Sequence, residues 1–168
     1  MTWLTVLVLI VIVMISIRWM RRVIAIFGGS LIVRLCGATL FVTSVFVALT
    51  AVMGGITLAL GVDKFPAQWL IGTPFRSYLI PGLILTLFVG GTATVAAMSL
   101  LRKSDTCELL SIIAGVTLIG WLLGERLILP KAAFVPQFFW LEAIYIGAGL
   151  LMVLLSLVVR LSLHNSAA

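Results

Sequence analysis

The few charged residues of this chain stand in short clusters between long apolar runs, and that spacing limits the fold more tightly than any single motif does. Only 10% of the 168 residues are charged and 63% are hydrophobic, where a soluble domain carries roughly 25% charged residues. Water is therefore not the main solvent. A bilayer core about 30 Å thick takes roughly 20 apolar residues in a helix, and only helices or closed barrels satisfy the backbone inside it. The runs here are continuous rather than alternating, which selects helices over strands.

Five segments follow: Thr2 to Ile17, Leu35 to Leu60, Tyr78 to Leu101, Leu109 to Leu129 and Phe138 to Val159. The expected fold is an all-α, polytopic transmembrane helical bundle, with four core helices and an N-terminal anchor helix in one membrane domain over residues 1–168. The first segment is short. Its cations, Arg18, Arg21 and Arg22, follow the apolar run where a signal peptide would place them before it, and no small-residue cleavage site comes next. An uncleaved anchor is the preferred reading, with cleavage or an interfacial position as alternatives. The stretch Val23 to Val33, interrupted by Gly28-Gly29-Ser30 and closed by Arg34, either lies along the membrane surface or extends a neighbouring helix.

The net charge of +6 suggests nucleic acid at first sight, but a nucleic-acid reader gathers Lys and Arg on one face, and here they flank apolar segments. The rule that cytoplasmic loops retain Lys and Arg accounts for them. With the N-terminus outside, the inner ends hold Arg18, Arg21, Arg22, Arg34, Arg102, Lys103 and Arg160, and the outer ends hold Lys64, Arg76, Arg126 and Lys131. That bias favours five crossings with the C-terminus in the cytoplasm. If the first segment does not span, the other four keep their orientation. Phe65, Trp69, Phe75, Tyr78, Phe134, Phe138, Phe139 and Trp140, with Trp3, gather at the outer boundary and Trp19 at the inner one, as interfacial aromatics do. The outer connections, Gly61 to Ser77 and Pro130 to Gln137, are longer than the inner turn Arg102 to Glu108 and carry Pro66, Pro74, Pro130 and Pro136.

Candidate chemistry is sparse. Cys36 and Cys107 form no CxxC and are expected as reduced thiols on the cytoplasmic side. His164 is the single histidine, so no pair of His ligands exists for haem, and neither a cofactor nor a metal is expected. Glu125 and Glu142 are the carboxylates inside the expected helices, each about one turn from the outer end of its helix. Burial in hydrocarbon obliges such groups to face the bundle interior, pair or neutralise. Arg76 and Arg126 are the nearest cations by depth. The four residues form the candidate polar site, read either as a structural ion pair near the interface or as a proton or cation site in an outward vestibule.

Thr73 before Pro74 matches a helix cap followed by proline, and Pro81 either kinks that helix or falls in a first turn capped by Ser77. Gly120 and Gly124, Ala93 and Ala97, and Ala143 and Gly147 recur at intervals that let helix backbones approach, within the bundle or between copies. Thr39, Thr43, Ser44, Thr50, Thr57, Thr86, Thr92 and Thr94 are expected to bond to their own helix backbones, with pore lining as the alternative.

The runs GTPFRSYLIPGLILTLFVGG, IIAGVTLIGWLLGERLIL and FFWLEAIYIGAGL, spread over Gly54 to Leu155, resemble a group of small four-helix bacterial membrane proteins without an assigned activity. The resemblance implies the four-helix architecture. Amides are common in that group where this chain has Glu125 and Glu142, which argues against an obligatory carboxylate chemistry.

No nucleotide loop, nucleophile with a His base or metal constellation stands in the sequence. The leading expectation is a non-catalytic accessory or interaction protein whose partners are the bilayer and either further copies of itself or other membrane proteins, with no nucleic acid. The alternative is an oligomeric small transporter or channel with Glu125, Glu142 and Arg76 at its outer mouth. An enzyme acting on lipid or quinone ranks third.

Overall fold

A computed structural model describes residues 31–62, 70–128 and 139–165. The described residues are helical, with no strand among them. Helix α1 is Leu31–Leu60. Helix α2 covers 79–101 in three consecutive stretches, an α-helical Leu79–Ile84, a π-helical Leu85–Gly90 and an α-helical Gly91–Leu101. Helix α3 is Cys107–Ile128 and α4 is Phe139–Asn165. All four are long and apolar enough to cross a membrane, so the chain is a membrane protein of the helical-bundle class. The first expected segment, Thr2 to Ile17, lies outside the described residues, as do Trp3, Trp19, Arg18, Arg21, Arg22, Lys64, Phe65, Pro66, Trp69, Pro130, Lys131, Phe134, Pro136 and Phe138.

The helices form a ring in chain order. Each packs on the two beside it, α1 closes the ring on α4, and the diagonal pairs barely meet. One end of the ring carries the short turn 102–106, the start of α1 and the end of α4, and is called here the turn end. The other, the loop end, holds the ends of α1 and α3 and the starts of α2 and α4.

Helix limits follow local chemistry. Helix α1 begins at Leu31, so residues 31–34 of the ambiguous Val23 to Val33 and Arg34 stretch extend the helix. It stops at Gly61, which takes the left-handed φ of 65° while the Val62 N–H donates to the Thr57 carbonyl at 3.0 Å, closing the last turn in the manner of a glycine cap. Helix α3 begins at Cys107, two residues earlier than expected, and takes Glu108 into its first turn. Glu125 and Glu142 are therefore not the only helical carboxylates. Helix α4 runs past Val159 to Asn165.

The start of α2 corrects the expected capping. Thr73 heads no helix. Its hydroxyl donates to the Leu70 carbonyl at 2.8 Å and accepts the Phe75 N–H at 3.3 Å, locking a turn that also contains Gly72 at φ 86°. The helix starts six residues later with Tyr78 at the cap position and no side-chain cap bond. Pro81 falls in the first turn, where its missing N–H costs nothing, and Ser77 does not cap it.

Buried side chains gather toward the turn end. Leu40, Ser44, Val47, Ala93, Ala96, Leu100, Ser111, Ala114, Met152 and Ser156 are all buried. Inside lipid there is no hydrophobic gain from joining helices, so close van der Waals fit has to hold them together, and small residues supply it. A Cβ on Gly55 would stand 2.6 Å from the Gly82 carbonyl oxygen, and one on Gly115 would stand 2.7 Å from that of Gly149. Backbone thus meets backbone between α1 and α2 and again between α3 and α4.

Of the expected small-residue pairs, Ala93 and Ala97 are buried. Gly120, Gly124 and Gly147 have open space where a Cβ would stand, and Ala143 is exposed, so these four do not serve the packing within one copy. The reason is phase: the inward stripe of α3 runs through Ser111, Ala114 and Leu118, and at 100° per residue Gly120 falls on the opposite side.

All of the expected hydroxyls but that of Thr39 bond to their own helix backbones. Ser44 donates to the Leu40 carbonyl, Thr50 to Phe46, Thr57 to Gly54, Thr86 to Gly82, Thr92 to Phe88 and Thr94 to Gly90. Thr43 donates to Thr39.

Candidate functional site

The expected polar residues meet at the loop end, where α3 finishes and α4 starts. Position along each helix decides which way they face. Arg126 lies eleven residues, close to three turns, after Gly115, so it shares the flank through which α3 touches Gly149 of α4. Glu142 lies seven residues, about two turns, before Gly149 and so shares the matching flank of α4. The two side chains meet: the Arg126 Nη2 donates to the Glu142 Oε2. An ion pair of this kind clasps the two helices two to three turns beyond their glycine contact. It is partly exposed, with the Arg126 side chain 47% and that of Glu142 25% accessible.

Glu125 sits one residue before Arg126 and 100° away from it, on the stripe of Ser111, Ala114 and Leu118 that faces the ring interior. It makes no hydrogen bond or ion pair among the described residues. It is exposed all the same among the described residues: past Leu118 no residue of α3 is buried, and before Gly149 no described residue of α4 is. Glu142 is close enough for the two carboxylates to feel each other's charge. The three groups carry two formal negative charges and one positive within the membrane-crossing helices.

Arg76, the fourth expected member, is exposed on the connection before α2 and makes no hydrogen bond or ion pair with either carboxylate. The structure therefore brings together Glu125, Arg126 and Glu142 and leaves Arg76 apart. Beside Arg76, Tyr78 holds its phenol proton above the usual range because partial burial disfavours the phenolate.

Among the described residues no group of three or more His, Cys, Asp or Glu stands together as a metal site would require. Cys36 and Cys107 are free thiols toward the turn end. On α1 and α4, Phe46 and Tyr145 stack with ring centroids 6.0 Å apart, joining the two helices that close the ring.

Sequence reasoning named both carboxylates and Arg126 without assigning the pair. The signal was present in the eleven-residue and seven-residue offsets, and it became readable only once Gly115 and Gly149 were known to touch.

Comparison of the chain with protein-family models, with curated proteins and with solved structures finds no match in any of the three.

Proposed function

We propose that this membrane protein is a non-catalytic accessory bundle that associates laterally with another transmembrane helix, either of a second copy or of a different membrane protein. One observation carries this reading: Gly120 and Gly124, one turn apart on α3, form a bare strip on the side turned away from the ring, with open space above both. Ala143 and Gly147 repeat the arrangement on α4. A glycine on a lipid-facing surface leaves backbone in contact with acyl chains and gains nothing there, whereas against a second helix it permits close approach. The polar side chains fit the same reading, since the described hydroxyls of α1 and α2 but that of Thr39 are bonded back to their own helices and Arg126 and Glu142 are bonded to each other.

The test is the mass of the particle ejected directly from native membranes by mass spectrometry, for the wild type and for the double substitution Gly120→Leu with Gly124→Leu. The reading expects a particle heavier than one chain that falls to the single chain in the variant, while thermal unfolding is unchanged. A single chain from the wild type would defeat it.

For orientation, we propose that the turn end faces the cytoplasm of a bacterial cell. Among the described residues it holds Arg34, Arg102, Lys103 and Arg160, against Arg76 and Arg126 at the loop end, and cytoplasmic ends retain cations.

A second reading has one observation in its favour. Glu125 stands on the interior stripe of α3 at the loop end with no hydrogen bond or ion pair among the described residues, where a small transporter or channel would place a proton or cation site. It expects that Glu125→Gln abolishes a proton-linked flux across proteoliposomes without loss of folded protein. Equal flux in that variant would eliminate the carboxylate role.

A further inference from the structure

Helix α2 changes its winding partway across the membrane. The stretch Leu79–Ile84 is α-helical, Leu85–Gly90 is π-helical, and Gly91–Leu101 is α-helical again. A π turn carries about one residue more than an α turn, so it rotates the surface that follows by roughly 100° relative to an unbroken helix. Pro81 is four residues upstream of the first π residue, too early to account for the wide turn through its missing N–H.

The parts on either side of the π stretch are held differently. The part after it packs against both α1 and α3, while Leu79–Ile84 rests chiefly on α1. Burial follows: Ala93, Ala96, Ala97, Ser99 and Leu100 are buried after the π stretch and Val89 and Gly90 at its end, whereas within Leu79–Ile84 Gly82 alone is. The contact that keeps Leu79–Ile84 on α1 is close: Gly55 and Gly82 meet backbone to backbone, Ala59 abuts Gly82, and the Thr86 side chain sits over Gly55. Where the two parts join stand Gly90 and Gly91. A Cβ at Gly90 would meet the Val52 side chain at 2.7 Å, and one at Gly91 would meet nothing within 4 Å. Glycine in a helix interior leaves the backbone freer than any other residue does.

We propose that the π stretch with Gly90 and Gly91 is a joint, about which Leu79–Ile84 moves and so widens or narrows the gap between the loop ends of α2 and α3, the latter carrying Glu125. The turn end stays closed throughout, because its buried side chains hold α2 against two neighbours at once. The proposal holds whether the protein is an accessory bundle or a transporter.

The test is a pair of distance distributions by pulsed electron resonance on the full chain in lipid nanodiscs, with Cys36 and Cys107 replaced by Ser. Spin labels at Ser77→Cys and Leu127→Cys report the loop end, and labels at Arg102→Cys and Arg160→Cys report the turn end. The joint expects two distances at the loop end and one narrow distance at the turn end, which also confirms that each labelled protein is folded. Gly91→Ala, for which the structure leaves room, is expected to shift the ratio of the two loop-end distances by about fivefold toward the arrangement described here, since alanine favours the helical backbone over glycine by roughly that factor. One narrow distance at both ends overturns the proposal. Equal breadth at both ends also overturns it, because the motion would then not be located at the π stretch, and so does a ratio that Gly91→Ala leaves unchanged.

Discussion

The two ends of this bundle are built on different terms. Toward the turn end, α1, α2, α3 and α4 all contribute buried side chains, among them Leu40, Ala93, Ala96, Leu100, Ser111, Met152 and Ser156. Toward the loop end the buried set thins to residues such as Gly55 and Gly82, and the partly exposed Arg126–Glu142 ion pair clasps α3 to α4. One end is joined by interlocked shape and the other by bare backbone and charge. The difference teaches where this protein can tolerate change, because dispersion between packed atoms is lost steeply with a small gap, while a partly exposed ion pair is worth little and adapts readily.

The largest expected effect lies at the turn end. Met152→Ala empties a fully buried site and should cost about 2–5 kcal/mol of stability, whereas Leu87→Ala, at a position 64% exposed, should cost under about 0.5 kcal/mol. Thermal unfolding of both variants in one detergent measures the contrast, and equal losses would erase the distinction between the ends. Next in size is Gly82→Ala, whose new Cβ would stand 2.6 Å from the Gly55 carbonyl oxygen and should cost about 1–3 kcal/mol through overpacking. The same exchange at Gly120, with open space around it, should be neutral or slightly stabilising in the monomer. The ion pair should contribute about 0.5–1 kcal/mol. A double-mutant cycle of Arg126→Gln and Glu142→Gln reads that coupling directly, and a coupling several times larger would mean that the loop end is held as firmly as the turn end. The smallest effect belongs to Lys103, which holds a left-handed φ of 52° in the 102–106 turn while the Ser104 N–H closes on the Ser99 carbonyl at 3.0 Å. Glycine takes that backbone without strain but gives the unfolded chain more freedom, so Lys103→Gly should stabilise by only about 0.3 kcal/mol.

How much of this was legible in the sequence depended on the range of the interaction. The four core helices could be read because each rests on its own run of apolar residues and on the bilayer, and their limits differ from the expected ones by a few residues, as at Leu31, Cys107 and Asn165. The hydroxyl bonds were legible for the same reason, since Ser44 and Thr86 find their acceptors one turn away on their own helices. What needed two helices at once was not legible. Gly115 and Gly149 carry no mark that separates them from Gly120, Gly124 and Gly147, and only the rotational phase of each helix in the ring decides which glycine meets a neighbour. The capping of α2 was misread at Thr73 because a threonine before proline closes a turn as readily as it starts a helix. The π stretch has no simple residue signature, since the sequence Leu85 to Gly90 is unremarkable as α-helix. For the site, Glu125, Glu142 and Arg126 stood out as charges in an apolar setting. That Arg126 takes Glu142 and leaves Glu125 was a matter of geometry.

The closing of the ring sets an order on biosynthesis. Helices α1 and α2 can meet as soon as both have left the ribosome, and α3 can join α2 through the short turn. The pairing of α1 with α4, where Phe46 stacks on Tyr145, must wait until α4, the last made of the four described helices, is inserted. Until then α1 lacks α4 as a neighbour, and a newly made chain with a slow or defective α4 offers that flank to another helix. The stacked ring pair thus forms only once the fourth of these helices has arrived.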